Sequence, residues 1–434
     1  MKIGVSIAGL MLAAASLVPL HAPAAGESPQ HGSLPHGGSY IIHRDNAIGA
    51  AAIDLWFRAP GAGYDNGLPG LARLAATAAA AAPLESGKSL VTMIRAAGGS
   101  FTIDAYPDLI GVGAVVPAAS ARRIVAAMTA AYFAPSIDDA ALKTAQRDMA
   151  VLGAQKRFSS DELLHDALFA TIFPAGAAHY PAIPDAVTDL TRITTAQAGA
   201  FARRAFRSGN ATLTLTGNVD PESIGAVTAG SAGGPDAPVD SAPGNPPSSP
   251  VSIVAAVTGT GMAWIGPPIA DQKSATALDF VADYLFRDET GVVTKAISDT
   301  TDSYISAQFI TLHDPGIMLV TVGGSGAEKL GVRVHDALEK MQQPLDSAAF
   351  AAAREAFLYH IASDTQNPAE QADNLGWYAS EGDASYAPGD PASSYWKAAN
   401  ALDPAFVASV VKRYLARPFV VELVPPSAAK ESAS

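Results

Sequence analysis

The sequence repeats itself, and that constrains its fold more than any single motif. Asp108 and Asp314 lie 206 residues apart, Arg147 and Arg354 lie 207 apart, and Phe206 and Tyr414 lie 208 apart. Chance would scatter such spacings. Each copy opens with a strand pattern, Ala50–Ala59 and Val254–Gly266, followed by a long Ala/Leu-rich helix pattern. A strand pair around an acidic turn comes next, FTIDAYPDLIGVGAVV in one copy and YISAQFITLHDPGIMLVTVG in the other. A helix at Ala119–Phe133 or Gly326–Gln342 precedes a longer polar–apolar helix carrying Arg147-Asp148 or Arg354-Glu355. Both copies close on a basic-aromatic helix end and a strand, FARRAFRSGNATLTLTG and VVKRYLARPFVVELVP. The pattern predicts an α+β protein of two homologous domains, each an antiparallel-rich sheet covered by helices.

The copies occupy residues 39–228 and 252–425. Between them, residues 229–251 (AGSAGGPDAPVDSAPGNPPSSPV) are rich in Gly, Pro, Ser and Asp and have no hydrophobic period, so they read as a flexible linker. Residues 25–38 read as a flexible lead-in and 426–434 as a tail. Residues 1–24 combine Lys2, an apolar run from Ile3 to Leu20 and the small-x-small site Ala22-Pro23-Ala24, which is the pattern of a secretory signal peptide. Gly4, Gly9, Ser6, Ser16 and Pro19 thin that run and argue against a retained membrane anchor. The expectation is a periplasmic or secreted mature chain.

Charge and cysteine content narrow the chemistry. Lys and Arg number 28 against 41 Asp and Glu, a net charge of −13, and no cationic run supplies a nucleic-acid footprint. Removing residues 1–24 takes away only Lys2 and leaves −14. With no Cys in the chain, disulfides, thiolate metal sites and cysteine nucleophiles are excluded.

Within the first copy, Leu55–Pro83 (LWFRAPGAGYDNGLPGLARLAATAAAAAP) and the following MIRAAGGSFTIDAYPDLIGVGAVV resemble the insulinase/pitrilysin family of zinc peptidases. The Asn66-Gly67-Leu68 helix start and the His313-Asp314-Pro315-Gly316 turn add to the resemblance, which spans roughly Tyr40 to Pro425. Active members carry His-x-x-Glu-His on the first helix. Two imidazoles four apart hold zinc, and the carboxylate acts as general base on the metal-bound water. In this chain the two His positions fall on Gly70 and Leu74, and the base position falls on Arg73. Glycine and leucine cannot ligate zinc, and an arginine cannot accept a proton. The later acidic ligand is expected near VLGAQKR, where Gly153 and Ala154 stand. A shift of register does not restore the motif. The histidines are His21, His31, His36, His43, His165, His179, His313, His335 and His360, no two are four apart, and none lies between His43 and His165.

The resemblance therefore implies a non-catalytic member without zinc or other cofactor. Such a chain would pair with a zinc-bearing catalytic sibling to form a peptide-binding and proteolysis chamber. The alternative is a stand-alone extracytoplasmic peptide-binding or structural protein. Family partners of this kind hold the substrate backbone with an Arg and a Tyr of the second domain. The Tyr position falls on Tyr304 and the Arg position near Val292, with Lys295 one helical turn away.

Other local signals have structural explanations. Glu162 and His165 share a helix face as metal ligands would, yet Ser159 with Glu162 reads as a capping box. His31, His36 and His43 lack accompanying carboxylates, and His335 with Glu339 reads as a solvated helix face. Gly323 to Gly326 make a strand-to-helix turn without a P-loop Lys. Trp56, Phe57 and Trp264 are expected in the core, and the small residues of Ala75–Ala82 allow their helix to lie close to its sheet.

Overall fold

A computed structural model describes residues 28–59, 68–174, 187–230, 234, 236, 242–296, 303–324 and 326–426. The signal-peptide reading of 1–24 and Asn66-Gly67 lie outside the described residues, as do parts of the lead-in, linker and tail.

The run AAAIDLWFR forms a strand at Ala50–Arg58 that is buried along nearly all its length. A strand without polar alternation needs cover on both faces. It is the third strand of a six-stranded sheet built from β1 (Gln30–Ser33), β2 (Ser39–Arg44), β3 (Ala50–Arg58), β4 (Ser100–Ala105), β5 (Leu109–Pro117) and β6 (Ala211–Gly217), in the order β1-β2-β6-β3-β5-β4. The second sheet holds β7 (Val251–Val254), β8 (Gly259–Ile265), β9 (Tyr304–Ile310), β10 (Ile317–Gly323) and β11 (Phe419–Val424), in the order β7-β11-β8-β10-β9. Leaving β1 aside, the two orders are the same. The single parallel pairing is also in the same place, β2 with β6 and β7 with β11. The repeat in the sequence is thus a repeat of topology.

One expectation needs correction. The lead-in at 25–38 contains β1, which pairs antiparallel with β2 from Gln30↔Ile42 to Ser33↔Ser39. Leu34, 3% exposed, anchors the turn that follows. The segment's Ser, Gly and His content hid a strand whose stability comes from edge pairing rather than from its own apolar pattern.

Each half lends a helix to the other. The helix Pro368–Glu381 of the second half lies across β3, β5 and β6 of the first sheet. Its counterpart in the first half, Ser160–Ile172, lies across β8, β10 and β11 of the second sheet. Both crossings are close, and glycine makes them so by opposite means. A Cβ on Gly376, in the helix, would stand 2.2 Å from Cδ1 of Trp56 on β3. At the other crossing the strand gives way instead: Cβ atoms on Gly259 and Gly261 would meet Cδ1 of Leu164 at 2.9 Å and Cδ1 of Leu168 at 2.8 Å. Side-chain hydrogen bonds stitch the same surfaces. Thr214 donates to the Ala372 carbonyl at 2.9 Å, Thr216 donates to the Pro368 carbonyl at 2.5 Å, and Thr321 donates to Asp161.

A carboxyl pair closes one end of this exchange. Asp108, in the turn between β4 and β5, and Glu381, the last residue of the crossing helix, are 4% and 2% exposed. Burial first, and the Asp108 charge second, hold the Glu381 carboxyl well above its usual range, with Arg58 acting in the opposite direction. Burial also raises the Asp108 carboxyl, to about 7, and a side-chain hydrogen bond links it to Glu381. Among the described residues no helix is long and apolar enough to cross a membrane.

The fold makes two predictions. Alanine exceeds glycine in helix propensity by ~1 kcal/mol, but overpacking a filled core costs about 1–3 kcal/mol. Gly376→Ala should therefore lower the melting temperature, although propensity alone would raise it. The second concerns pH. A folded-state carboxyl pKa above the unfolded value means that the native chain holds a proton the unfolded chain has released. Stability should then fall as pH rises from the ordinary carboxyl range near ~4 towards the raised value of Glu381, by up to about 1.4 kcal/mol per pH unit for one proton. Glu381→Gln, which keeps a neutral donor, should flatten that slope in urea titrations between pH 5 and 9.

Candidate functional site

The residues at the peptidase-motif positions have separate jobs. Gly70 caps the helix Leu71–Ala81 with φ 75°, a conformation that glycine adopts without strain. Leu74 is fully buried in the core. Of the three, only Arg73 lines a cavity, of about 340 Å³. The cavity is walled by Asp104 to Tyr106 at the end of β4, by the helix Asp139–Lys156 and by the start of the crossing helix Ser160–Ile172. Gly153 is buried and Ala154 exposed, so neither supplies an acid there.

The cleft carries its own cation. The Lys156 side chain is 4% exposed and its Nζ pairs with Asp166, itself 19% exposed. The Arg73 charge draws the Asp104 carboxyl downward while burial, the larger effect, raises it. His165 stacks on Phe169 with ring centroids 4.6 Å apart, and its Nδ1 is 3.7 Å from Asp166. Burial is the main cause that lowers its pKa to about 4; Asp161 raises it and Lys156 lowers it further. At neutral pH this imidazole is uncharged. Glu162 lines the same cleft as His165, while the Ser159 hydroxyl accepts from the Glu162 N–H as the helix cap. Among the described residues no group of three or more His, Asp and Glu is arranged to hold a metal ion.

Tyr304, from the other half, stands beside this cleft. It begins β9, is 39% exposed, and its hydroxyl lies 2.8 Å from Ser160 Oγ, at the first residue of the crossing helix. The next two residues of that helix, Asp161 and Glu162, line the cavity. Burial raises the Tyr304 phenol pKa, so the hydroxyl is neutral at pH 7. Val292 lies elsewhere: with Val293 and Ala296 it lines a groove against the helix Ala327–Lys340. Lys295 ends the short helix Val292–Lys295, and residues 297–302, which join it to the Tyr304 region, lie outside the described residues. The structure thus joins Tyr304 to the Arg73 cleft and does not bring Val292 to it.

Sequence reasoning missed Lys156, Asp104 and Asp166. VLGAQKR lacks the acid that the resemblance calls for, and no motif marks the lysine within it. Asp104 could have been found as an outward-facing polar residue on an alternating strand, since Ile103 and Ala105 are buried.

No family model and no curated protein matches the sequence, whereas solved structures match nearly the whole chain. A protease from Helicobacter pylori is similar with a TM-score of 0.76 and 15% identity, over 92% of this chain and all of that one. A peptidase M16 inactive domain from Pseudomonas fluorescens gives 0.75 and 16%, over 92% of this chain and 98% of that chain. A chain of complex III2 from Candida albicans gives 0.71 and 11%, over 91% and 95%. At such identities the likeness is one of fold: the chain has the two-half α+β fold of M16-like peptidases, as its resemblance to insulinase and pitrilysin implied.

The buried ion pair yields a prediction. Removing one partner of a buried pair costs up to about 3–5 kcal/mol because the other charge is stranded. Lys156→Met should destabilise by about 3 kcal/mol or less, since Asp166 keeps some water contact. The double variant Lys156→Met/Asp166→Leu should recover most of the loss in chemical denaturation.

Proposed function

We propose that this chain is a non-catalytic, peptidase-like subunit that holds extended peptide beside the Arg73 cleft and pairs with a zinc-bearing sibling that does the chemistry. The observation that carries this reading is the combination of a complete peptidase fold with Gly70, Arg73 and Leu74 where the metal ligands and base would stand. Arg73 and Lys156 are fixed cations in the cavity, and neither serves as a general base at neutral pH.

The edge strand β4 supports a role in holding peptide. Among the described residues it pairs only with β5, leaves Ser100, Thr102 and Asp104 on its exposed side, and ends at the cleft. An extended chain added to such an edge is bound through backbone hydrogen bonds with little sequence preference. Tyr304, tied to Ser160 beside the cleft, is the contact from the other half. The mature charge of −14 would favour basic peptides, less so as salt rises. In this reading the mature chain works in the periplasm or outside the cell and needs no cofactor of its own; zinc belongs to the sibling. The likeness to a chain of complex III2 supports the alternative, a structural or peptide-binding protein without a proteolytic partner.

The test is co-expression with the nearest homologue bearing His-x-x-Glu-His from the same genome. The sibling alone should cleave unstructured peptides slowly, and the co-eluting pair markedly faster. Tyr304→Phe should leave assembly intact and lower the rate, by the order of one hydrogen bond, ~1 kcal/mol. If the sibling is equally active alone and the two never co-elute, the partner reading fails and the stand-alone binder replaces it.

A further inference from the structure

The linker between the halves is fastened down, although its Gly, Pro, Ser and Asp content predicts a free tether. Just before it, the Thr228 N–H donates to Thr129 Oγ1 at 3.0 Å. Gly230 lies so close to the first half that a Cβ there would stand 2.6 Å from Cβ of Phe133. Asp236 is then held through its N–H, its carbonyl and its carboxylate together. The N–H donates to Asn210 Oδ1 at 2.8 Å, Arg58 Nη1 donates to the carbonyl at 3.0 Å, and Arg207 Nη2 donates to Oδ1 at 2.6 Å. The receptor is itself fixed. Asn210 is 4% exposed, and its Nδ2 donates to the carbonyls of Arg58 and Ala205 at 2.7 and 2.9 Å.

The same contacts reach the crossing helices. The last four carbonyls of a helix lack partners within it. Arg58, which holds the Asp236 carbonyl, donates through Nε to the Ser380 carbonyl at 2.6 Å, one residue before the end of Pro368–Glu381. Further along the linker, the Gly244 N–H donates at 2.7 Å to the carbonyl of Ile172, the last residue of Ser160–Ile172. Two anchors in one linker thus meet the ends of both helices that the halves exchange. A tether needs only length. These contacts fall where each covering helix would lift if the halves parted.

We propose that the linker is a strap: Asp236, seated between Arg58, Arg207 and Asn210, and Gly244, seated on Ile172, pin the ends of the two crossing helices and so set how readily the halves part. The Arg207–Asp236 pair is the releasable fastening, because its side chains are 22% and 34% exposed and salt screens them. The inference rests on the linker contacts alone and does not depend on the peptide or partner readings.

Amide hydrogen exchange on the full chain tests it. Asp236→Ala should speed exchange at Ser380–Asp383 by about three- to fivefold, on the scale of one partly exposed charge pair, and leave β3, β5 and β8 unchanged. Added salt at about 0.5 M should speed the same amides in the wild type and no further in Asp236→Ala. At the other anchor, Gly244→Pro removes the N–H and should speed exchange at Ile172 and Phe173. Gly244→Ala keeps the N–H, its Cβ would meet its nearest neighbours at 3.5 Å, and it should exchange like the wild type. Because the chain has no Cys, spin labels on Glu85→Cys and Lys340→Cys, exposed and one in each half, report the parting itself. Their distance distribution should be broader in Asp236→Ala/Gly244→Pro than in the parent. The proposal is overturned if Asp236→Ala exchanges like the wild type at Ser380–Asp383, if exchange rises equally throughout the core, if Gly244→Pro and Gly244→Ala behave alike, or if the distance distributions coincide.

Discussion

The rest of the structure depends on the reciprocal crossing of two equivalent helices. Sheets with one face packed on their own helices would leave the other face of β3 and β8 exposed, and those strands are buried on both. Each half solves this with the other's helix. The cover must lie close, which is why glycine appears on whichever side faces the larger partner: Gly376 beneath Trp56, Gly259 and Gly261 beneath Leu164 and Leu168. Interiors packed this tightly transmit strain rather than absorb it. A change at either crossing is therefore felt in both halves.

That exchange also makes the functional geometry. The first helical residues after the crossing, Ser160 to Glu162, belong to one half by sequence and meet Tyr304 of the other. The Arg73 cleft is lined by residues of the first half, and Tyr304 of the second is tied to Ser160 beside it. The Lys156–Asp166 pair fixes the helix Asp139–Lys156 to the crossing helix Ser160–Ile172.

Much of the fold was legible because its signals are local and doubled. Every strand that both halves share, and every long helix, has a counterpart about 208 residues away, so each weak periodicity was read twice. The failures have a common physical origin, in contacts that are distant in sequence. β1 has no apolar alternation and exists by pairing with β2. The crossing helices read as ordinary amphipathic segments, since nothing in a sequence pattern says whose sheet a helix will cover. The site was legible as an absence, through Gly70, Arg73 and Leu74, and not as a presence. Lys156 and Asp166 are ten residues apart on different helices, so spacing rules for one helix face do not join them.

The central claim is that a peptide lies along β4 beside a cleft emptied of its catalytic groups. Amide hydrogen exchange in the presence of excess lysine-free, unstructured peptide measures this most directly. The account predicts slowed exchange confined to Ser100–Ala105 and the start of the helix Ser160–Ile172, with β7 and β11 unchanged. Protection found only at β1 or β7, or no protection at saturating peptide, would contradict it.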